Sequence, residues 1–339
     1  MPNLISPNFK TWTPLAALII LSALPTALRA QWPDYKLAKA PRTPDGKIDL
    51  NAPAPKTADG KPDLSGIWIN FRVGRGPQGN AGGRGGAANG GAANGGGAGR
   101  GGAADTPATA NSGAPPTPAG FPTAPSGIAG DPLPPAPPDL ADSGPPLATF
   151  FNVGQNLKGG VPLKPAAAAL LKSRMEEHSK DNPDAHCLPL GLMQLHLHPQ
   201  PRKIVQTPAV TMILYEAQAG IRSIFTDGRP LPPADVLPWW YGYSVGHWEG
   251  DTLVVETIGF RDDVWLDVNG TPLTNTGKMT ERFRRLNYGN LEIIITIEDP
   301  SVFTAPYTVR VTQRLMPDTE LIEFICQEND RSGPHLVGK

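Results

Sequence analysis

Two runs of the sequence carry residue types that could do chemistry. The first is Gly242-Tyr243-Ser244-Val245-Gly246, which matches G-x-S-x-G. In that motif a sharp strand-to-helix turn lifts a serine hydroxyl above a sheet, where a histidine can activate it. The chain order Ser244, then Asp263 or Asp267, then His335 would supply the other members of a triad. The local sequence argues against the elbow. His247-Trp248-Glu249-Gly250-Asp251 reads as a hairpin turn, and Thr252–Phe260 reads as another strand. The expectation is that Ser244 lies within a strand, with small residues there for close packing.

The second run holds His186-Cys187 and His196-x-His198. Zinc accepts His and Cys ligands, and two His at i and i+2 of a strand share a face. No second compact Cys/His pair accompanies them, so no metal is assigned. A disulfide between Cys187 and Cys326 is the expected use of the two cysteines. Arg261 to Gly270 is rich in carboxylates but lacks the alternating oxygens and closing Glu of a calcium loop. Asp267 and Asn269-Gly270 read as turn residues.

A different set follows from strand alternation. Tyr241, Tyr243 and His247 share a face if their strand is regular. Glu256 lies between Val254 and Ile258, and Glu281 shares a face with Phe283. Aromatic walls with a few convergent polar groups suit a small-molecule pocket. The expected ligand-binding residues are therefore Tyr241, Tyr243, His247, Glu256 and Glu281. Their weak point is register, because a one-residue slip sends a side chain to the other face.

The elements that must position these groups are mostly strands. Leu291–Glu298 alternates most clearly, and similar patterns mark 203–206, 210–216, 221–226, 241–248, 252–260, 279–286, 307–315 and 320–327. Ser65–Phe71 reads as a further strand. Turn signals such as Asp227-Gly228 and Asn269-Gly270 separate them, and the short connections imply antiparallel neighbours. The fold class is mainly β, an antiparallel meander barrel of calycin type or a sandwich. Lys164–His178 is the one clear helix, with Pro165 in its first turn.

Five segments divide the chain. Residues 1–30 read as an export signal, with Lys10 ahead of the apolar run Leu15–Leu28, which is shorter than the roughly 20 residues a bilayer span requires. Residues 31–73 hold two related turns, at Thr43–Leu50 and Thr57–Leu64, and one strand. Residues 74–148 form a Gly/Ala/Pro-rich linker with too little apolar surface to offset its ordering entropy. Residues 149–183 carry the helix, and 184–339 the β domain. Removing 1–30 takes away Lys10 and Arg29 and moves the formal net charge from −1 to −3. That balance fits neither nucleic acid nor an anionic membrane as partner, and Arg75, Arg84 and Arg100 lack the aromatics of an RNA-binding segment. The mature chain is expected to hold no transmembrane segment and to be periplasmic or extracellular.

The block GYSVGHWEGDTLVVETIGF, with FTDGRPLP before it and MTERFRR and LEIIITIEDP after it, resembles a group of exported bacterial proteins to which no activity is attached. The resemblance spans about residues 184–330 and implies export and a shared β domain. Gly66-Ile67-Trp68 ahead of a meander is similar to the first-strand G-x-W of lipocalins, which implies ligand binding inside a barrel. The three functions in view are an exported small-molecule-binding domain, a secreted hydrolase using Ser244 or a His/Cys metal site, and a structural or partner-binding envelope domain.

Overall fold

A computed structural model describes residues 39–70, 144–233 and 238–325. The expected signal, most of the linker, Cys326 and His335 lie outside them.

Nine strands close into a barrel. They are β1 (Gly66–Asn70), β2 (Arg202–Gln206), β3 (Val210–Tyr215), β4 (Ile221–Phe225), β5 (Tyr243–Glu249), β6 (Thr252–Ile258), β9 (Lys278–Arg285), β10 (Asn290–Glu298) and β11 (Tyr307–Leu315). Their order round the barrel is β1-β11-β10-β9-β6-β5-β4-β3-β2, and β1 pairs with both β11 and β2. Closure leaves no exposed sheet edge. Two residues each of β7 (Val264–Trp265) and β8 (Pro272–Leu273) form a separate small ladder. Helix α1 spans Pro165–Glu176, and a short helix, α2, spans Leu192–Leu197.

The barrel is mixed, which corrects the expectation of antiparallel neighbours throughout. β4 and β5 run parallel, with Ile224 opposite Ser244 and Phe225 opposite Val245. A hairpin cannot join parallel strands, and the chain between Phe225 and Tyr243 returns to the end where β4 began. The expected strand at 320–327 is also corrected: residues 320–325 are irregular. Glu320 pairs instead with Lys203 at 2.6 Å, and the Ile322 amide donates to Glu216. β1 fills the closing position. Residues 144–148, expected within the linker, run beside β11, where the Ala148 amide donates to the Arg310 carbonyl at 2.9 Å.

Alternation sets the core. On β9, Met279, Glu281, Phe283 and Arg285 are buried. On β10, Leu291, Ile293, Ile295 and Ile297 are buried, and on β11 Val309 and Val311. The register places these sets side by side, with Ile295 facing both Glu281 and Val309. Burying each large apolar side chain contributes about 1.5–3 kcal/mol.

The two ends of the barrel are closed differently. At one end the tandem turns approach β1 with matching geometry. The Thr43 amide donates to the Lys47 carbonyl at 2.8 Å, and the Thr57 amide to that of Lys61 at 2.8 Å. They deliver Leu64 into the core and Trp68 beneath the Arg285 guanidinium, 4.9 Å from the ring centre. At the other end α2 is wholly buried and serves as a plug. Arg202 holds it: its guanidinium donates to the carbonyls of His196 at 2.6 Å, His198 at 2.9 Å and Gln200 at 3.1 Å.

Candidate functional site

The plugged end contains a charged cluster inside the barrel. Arg222 of β4 meets Glu281 of β9 through both terminal nitrogens, with one contact at 3.0 Å. The Arg222 Nε and Nη2 also donate to Ser244 Oγ, both at 3.1 Å, and Nη2 donates to Thr257 Oγ1 at 2.9 Å. His196 from α2 sits 2.8 Å from Glu281 Oε1 through Nε2. Arg222, Glu281, Ser244, Thr257 and His196 are all buried. Each strand contributes through its inward alternation, and the parallel β4–β5 pairing brings Arg222 to the level of Ser244.

Burial alone would raise the Glu281 carboxyl. The charge of Arg222 and the His196 hydrogen bond outweigh it and hold the group at about 2. Burial pushes His196 down, against the pull of Glu281, and the nearby Arg222 and Arg202 charges add to the fall. His196 is therefore neutral, and because its Nε2 faces an ionised acceptor, that nitrogen carries the proton. Its Nδ1 is left as a buried lone pair with no hydrogen-bond partner among the described residues.

Two further buried groups stand beside it. Tyr215 of β3 packs its ring edge-on to His196, centroids 6.1 Å apart, and burial raises its hydroxyl to about 12. That hydroxyl lies close to Arg222 yet makes no well-formed hydrogen bond among the described residues. Arg202 is the cross-strand partner of Tyr215, and its Nε is likewise unpaired. Each buried polar atom without a partner costs about 1–3 kcal/mol.

The sequence-derived site is divided by the barrel wall. Glu281 is inside. Tyr243 and His247 alternate with the buried Ser244 and Gly246, so they face outward. Tyr243 stacks on Phe225 at 5.2 Å between centroids, and His247 meets Glu249 at 3.2 Å in solvent. Glu256 also faces out and pairs with Lys278. Tyr241 precedes β5, packs partly buried against the core, and has its hydroxyl raised to about 12 by burial. The five residues thus do not line one pocket, because the alternation of β5 and β6 turns Tyr243, His247 and Glu256 away from Glu281. Trp248, which alternates with His247 on β5, packs against the core.

Ser244 lies within the continuous strand Tyr243–Glu249, followed by a turn and β6. Its hydroxyl is held by Arg222 and Thr257 rather than by a histidine. The motif's glycines serve packing. A Cβ on Gly242, at φ +65°, would stand 2.6 Å from Thr257 Cγ2, and one on Gly246 would stand 3.0 Å from Ile224 Cγ2. His196 and His198 do not share a strand face: His196 is in α2, and His198 follows its last residue. His198 packs edge-on to Phe150 and is lowered to about 4 by burial and the Arg202 charge. The described residues contain no group of three His, Cys, Asp or Glu able to hold a metal ion. Asp267 accepts from the Val153, Gly270 and Thr271 amides and the Thr271 hydroxyl, as suits a turn residue. Cys187 carries no free thiol, and Cys326, its expected partner, lies outside the described residues. No described helix is long and apolar enough to cross a membrane.

The sequence reading missed Arg202, Tyr215, Arg222 and Thr257. A signal for Arg222 existed, since it alternates with Ile221 and Ser223. The apolar Ile221 and Phe225 suggested the opposite facing.

A closed barrel with a helical plug and a buried charged cluster defines a class of architecture. Comparison with protein-family models, curated proteins and solved structures gave no match.

Proposed function

We infer that this protein is a small-molecule-binding barrel whose ligand is engaged at the α2 end. One observation carries the reading: His196 Nδ1, the Tyr215 hydroxyl and Arg202 Nε are three buried polar atoms on adjoining residues, all without partners among the described residues. Native interiors leave few such groups unpaired, and a ligand that bonds them recovers a cost the fold otherwise bears. The Arg222–Glu281 pair behind them fixes His196 in one tautomer, so the site presents a defined lone pair. Apolar neighbours, Leu195, Ile213 and Phe283, supply the walls. Export through the apolar run at 15–28 and a Cys187–Cys326 disulfide belong to the same reading, since disulfides persist in oxidising compartments.

Native mass spectrometry of the purified chain, followed by a thermal-shift screen of anionic, neutral and cationic fragments, tests this. The expected result is a saturable rise in melting temperature that is lost in His196→Ala. A flat response to every fragment class would return the cluster to a purely structural role. Intact mass before and after reduction checks the disulfide: a gain of two hydrogens on reduction is expected, and two alkylatable thiols beforehand would exclude it.

A further inference from the structure

The interior charges at the α2 end do not cancel. Glu281 neutralises Arg222 through a two-nitrogen contact, and His196 is neutral. Arg202 remains. It is 1% exposed, and its bonds go to the carbonyls of His196, His198 and Gln200 and to Asn70 Oδ1 at 3.3 Å. No carboxylate pairs with it among the described residues. Carbonyl dipoles satisfy its terminal nitrogens but do not remove its charge, and burial lowers it to about 10. A buried charge ordinarily has a counter-charge.

Two of the unpaired atoms at this end are donors beside the charge, and two, His196 Nδ1 and Gln194 Oε1 of α2, are acceptors. Among the described residues Arg202 Nε–H has no acceptor, and neither has Tyr215 O–H directly across the β2–β3 ladder, whose oxygen lies close to Arg222. One donor on the residual cation and one neutral hydroxyl across the ladder from it form an acceptor-binding pair, and the bond from the guanidinium, being charge-assisted, is about twice as strong as a neutral one. His196 Nδ1 can accept one hydrogen bond, which suits a hydroxyl near the anion. The opposite end supplies a control within the molecule. Arg285 is also buried, at 6% exposure, and also bonded to backbone carbonyls. Yet its Nε is used, on the Asn287 carbonyl, and its face stacks on Trp68 and Tyr288.

We propose that the α2 end of the barrel takes the carboxylate of a small organic acid, held by Arg202 Nε–H and the Tyr215 hydroxyl, with His196 Nδ1 accepting from a neighbouring hydroxyl. This rests on the binding reading above and narrows its ligand to an anion. Trp68, the cross-strand partner of Arg202, provides a fluorescent reporter.

The test titrates the full chain with propionate, butyrate and lactate, and with propionamide, butyramide and lactamide, in a carboxylate-free buffer at constant ionic strength set with chloride. Melting temperature and tryptophan fluorescence are both read. The acids are expected to act saturably and the amides not, with lactate ahead of propionate. Tyr215→Phe removes only the hydroxyl and should weaken acid binding about tenfold, the loss of one hydrogen bond to a charged group. Arg202→Met also releases α2, so Tyr215→Phe is the deciding variant. Amides that match the acids would overturn the anion assignment while leaving the binding reading intact. Equal acid responses from wild type and Tyr215→Phe would overturn the placement. Silence toward acids and amides alike, from protein that melts cooperatively, would overturn this inference; the binding reading would then fall only if the broader fragment screen were also flat.

Discussion

The two ends of the barrel are closed by the same device and differ in how completely it is satisfied. Each uses a buried arginine to gather backbone carbonyls. Arg285 receives Asp63, Ser65, Asn287 and Tyr288, spends its Nε, and is sandwiched by two aromatic rings. Arg202 gathers three carbonyls from the end of α2 and keeps Nε unused, beside an unused tyrosine hydroxyl and an unused histidine nitrogen. Each such atom weakens the fold; the Arg285 end has one as well, the buried Asn290 Oδ1, but at the α2 end three adjoin one another. On the binding reading proposed above, the tandem-turn end is scaffold and the α2 end is the working end.

The comparison can be broken most forcefully at Glu281. Glu281→Gln removes the partner of a buried guanidinium, which typically costs about 3–5 kcal/mol. Urea unfolding should show that loss, and the double variant Arg222→Met/Glu281→Leu should recover most of it. If the single variant cost less than 1 kcal/mol, the pair would not be the buried anchor described. At the scaffold end, Arg285→Met strips several backbone carbonyls of their donor and should cost about 3 kcal/mol. Its effect on the ligand-induced rise in melting temperature, measured from the variant's own melt, should be nil.

Titration separates the ends without mutation. His196 and His198 both belong to the α2 end and are both held neutral, with folded values below the usual 6.5. The unfolded chain therefore binds protons first as pH falls. Stability is full above about 6.5 and declines below it, for His198 down to about 4. The slope is about 1.4 kcal/mol per pH unit for each histidine. Glu281 adds to the loss only below its unfolded value of about 4.5, down toward 2. Chemical denaturation between pH 7 and 4.5 should show this slope and a shallower one in His198→Asn. An unchanged slope in that variant would mean His198 is not held neutral.

Smaller effects sharpen the boundary between inside and outside. Ser244→Ala deletes an acceptor from Arg222 and should cost about 1 kcal/mol. It should leave any esterase turnover unchanged, since the hydroxyl is tied to Arg222 and Thr257; a lost turnover with an unchanged melt would reverse that view. His247→Ala, on the same outward face as Tyr243 and four residues along β5 from it, should change stability by less than about 0.5 kcal/mol. Matching losses from Ser244→Ala and His247→Ala would mean that β5 is facing the other way.

Much of the wall was legible one strand at a time. Hydropathy alternates along β10 and β11, Ile294 and Gln313 apart, as expected where one strand face turns to a core; on β11 the other face is buried as well, so burial does not alternate there. The helix at Pro165–Glu176 followed from alanine-rich propensity. α2 was not legible, because Leu192–Leu197 is buried on every side and shows no periodicity to distinguish helix from strand. The five-residue binding set failed at register. Alternation fixes which residues of one strand share a face, but it does not say which face is inside. On β4 the apolar Ile221 and Phe225 lie outward while Arg222 turns in.

The sequence by itself determined a β-rich chain, most of its strand positions, the tight turns at the two Asp-Gly-Lys repeats, and a serine that sits in a strand. These depend on local sterics and on patterns a few residues long. Tertiary structure decided that β1 rather than residues 320–325 closes the barrel, that β4 and β5 run parallel, and that Arg202, Tyr215, Arg222, Ser244, Thr257, Glu281 and His196 meet. Those outcomes depend on pairings between strands far apart in the chain and on which face the closed sheet turns inward. A buried charge is stable only where its partners have been brought to it, so the cluster becomes visible only once the barrel has closed around it.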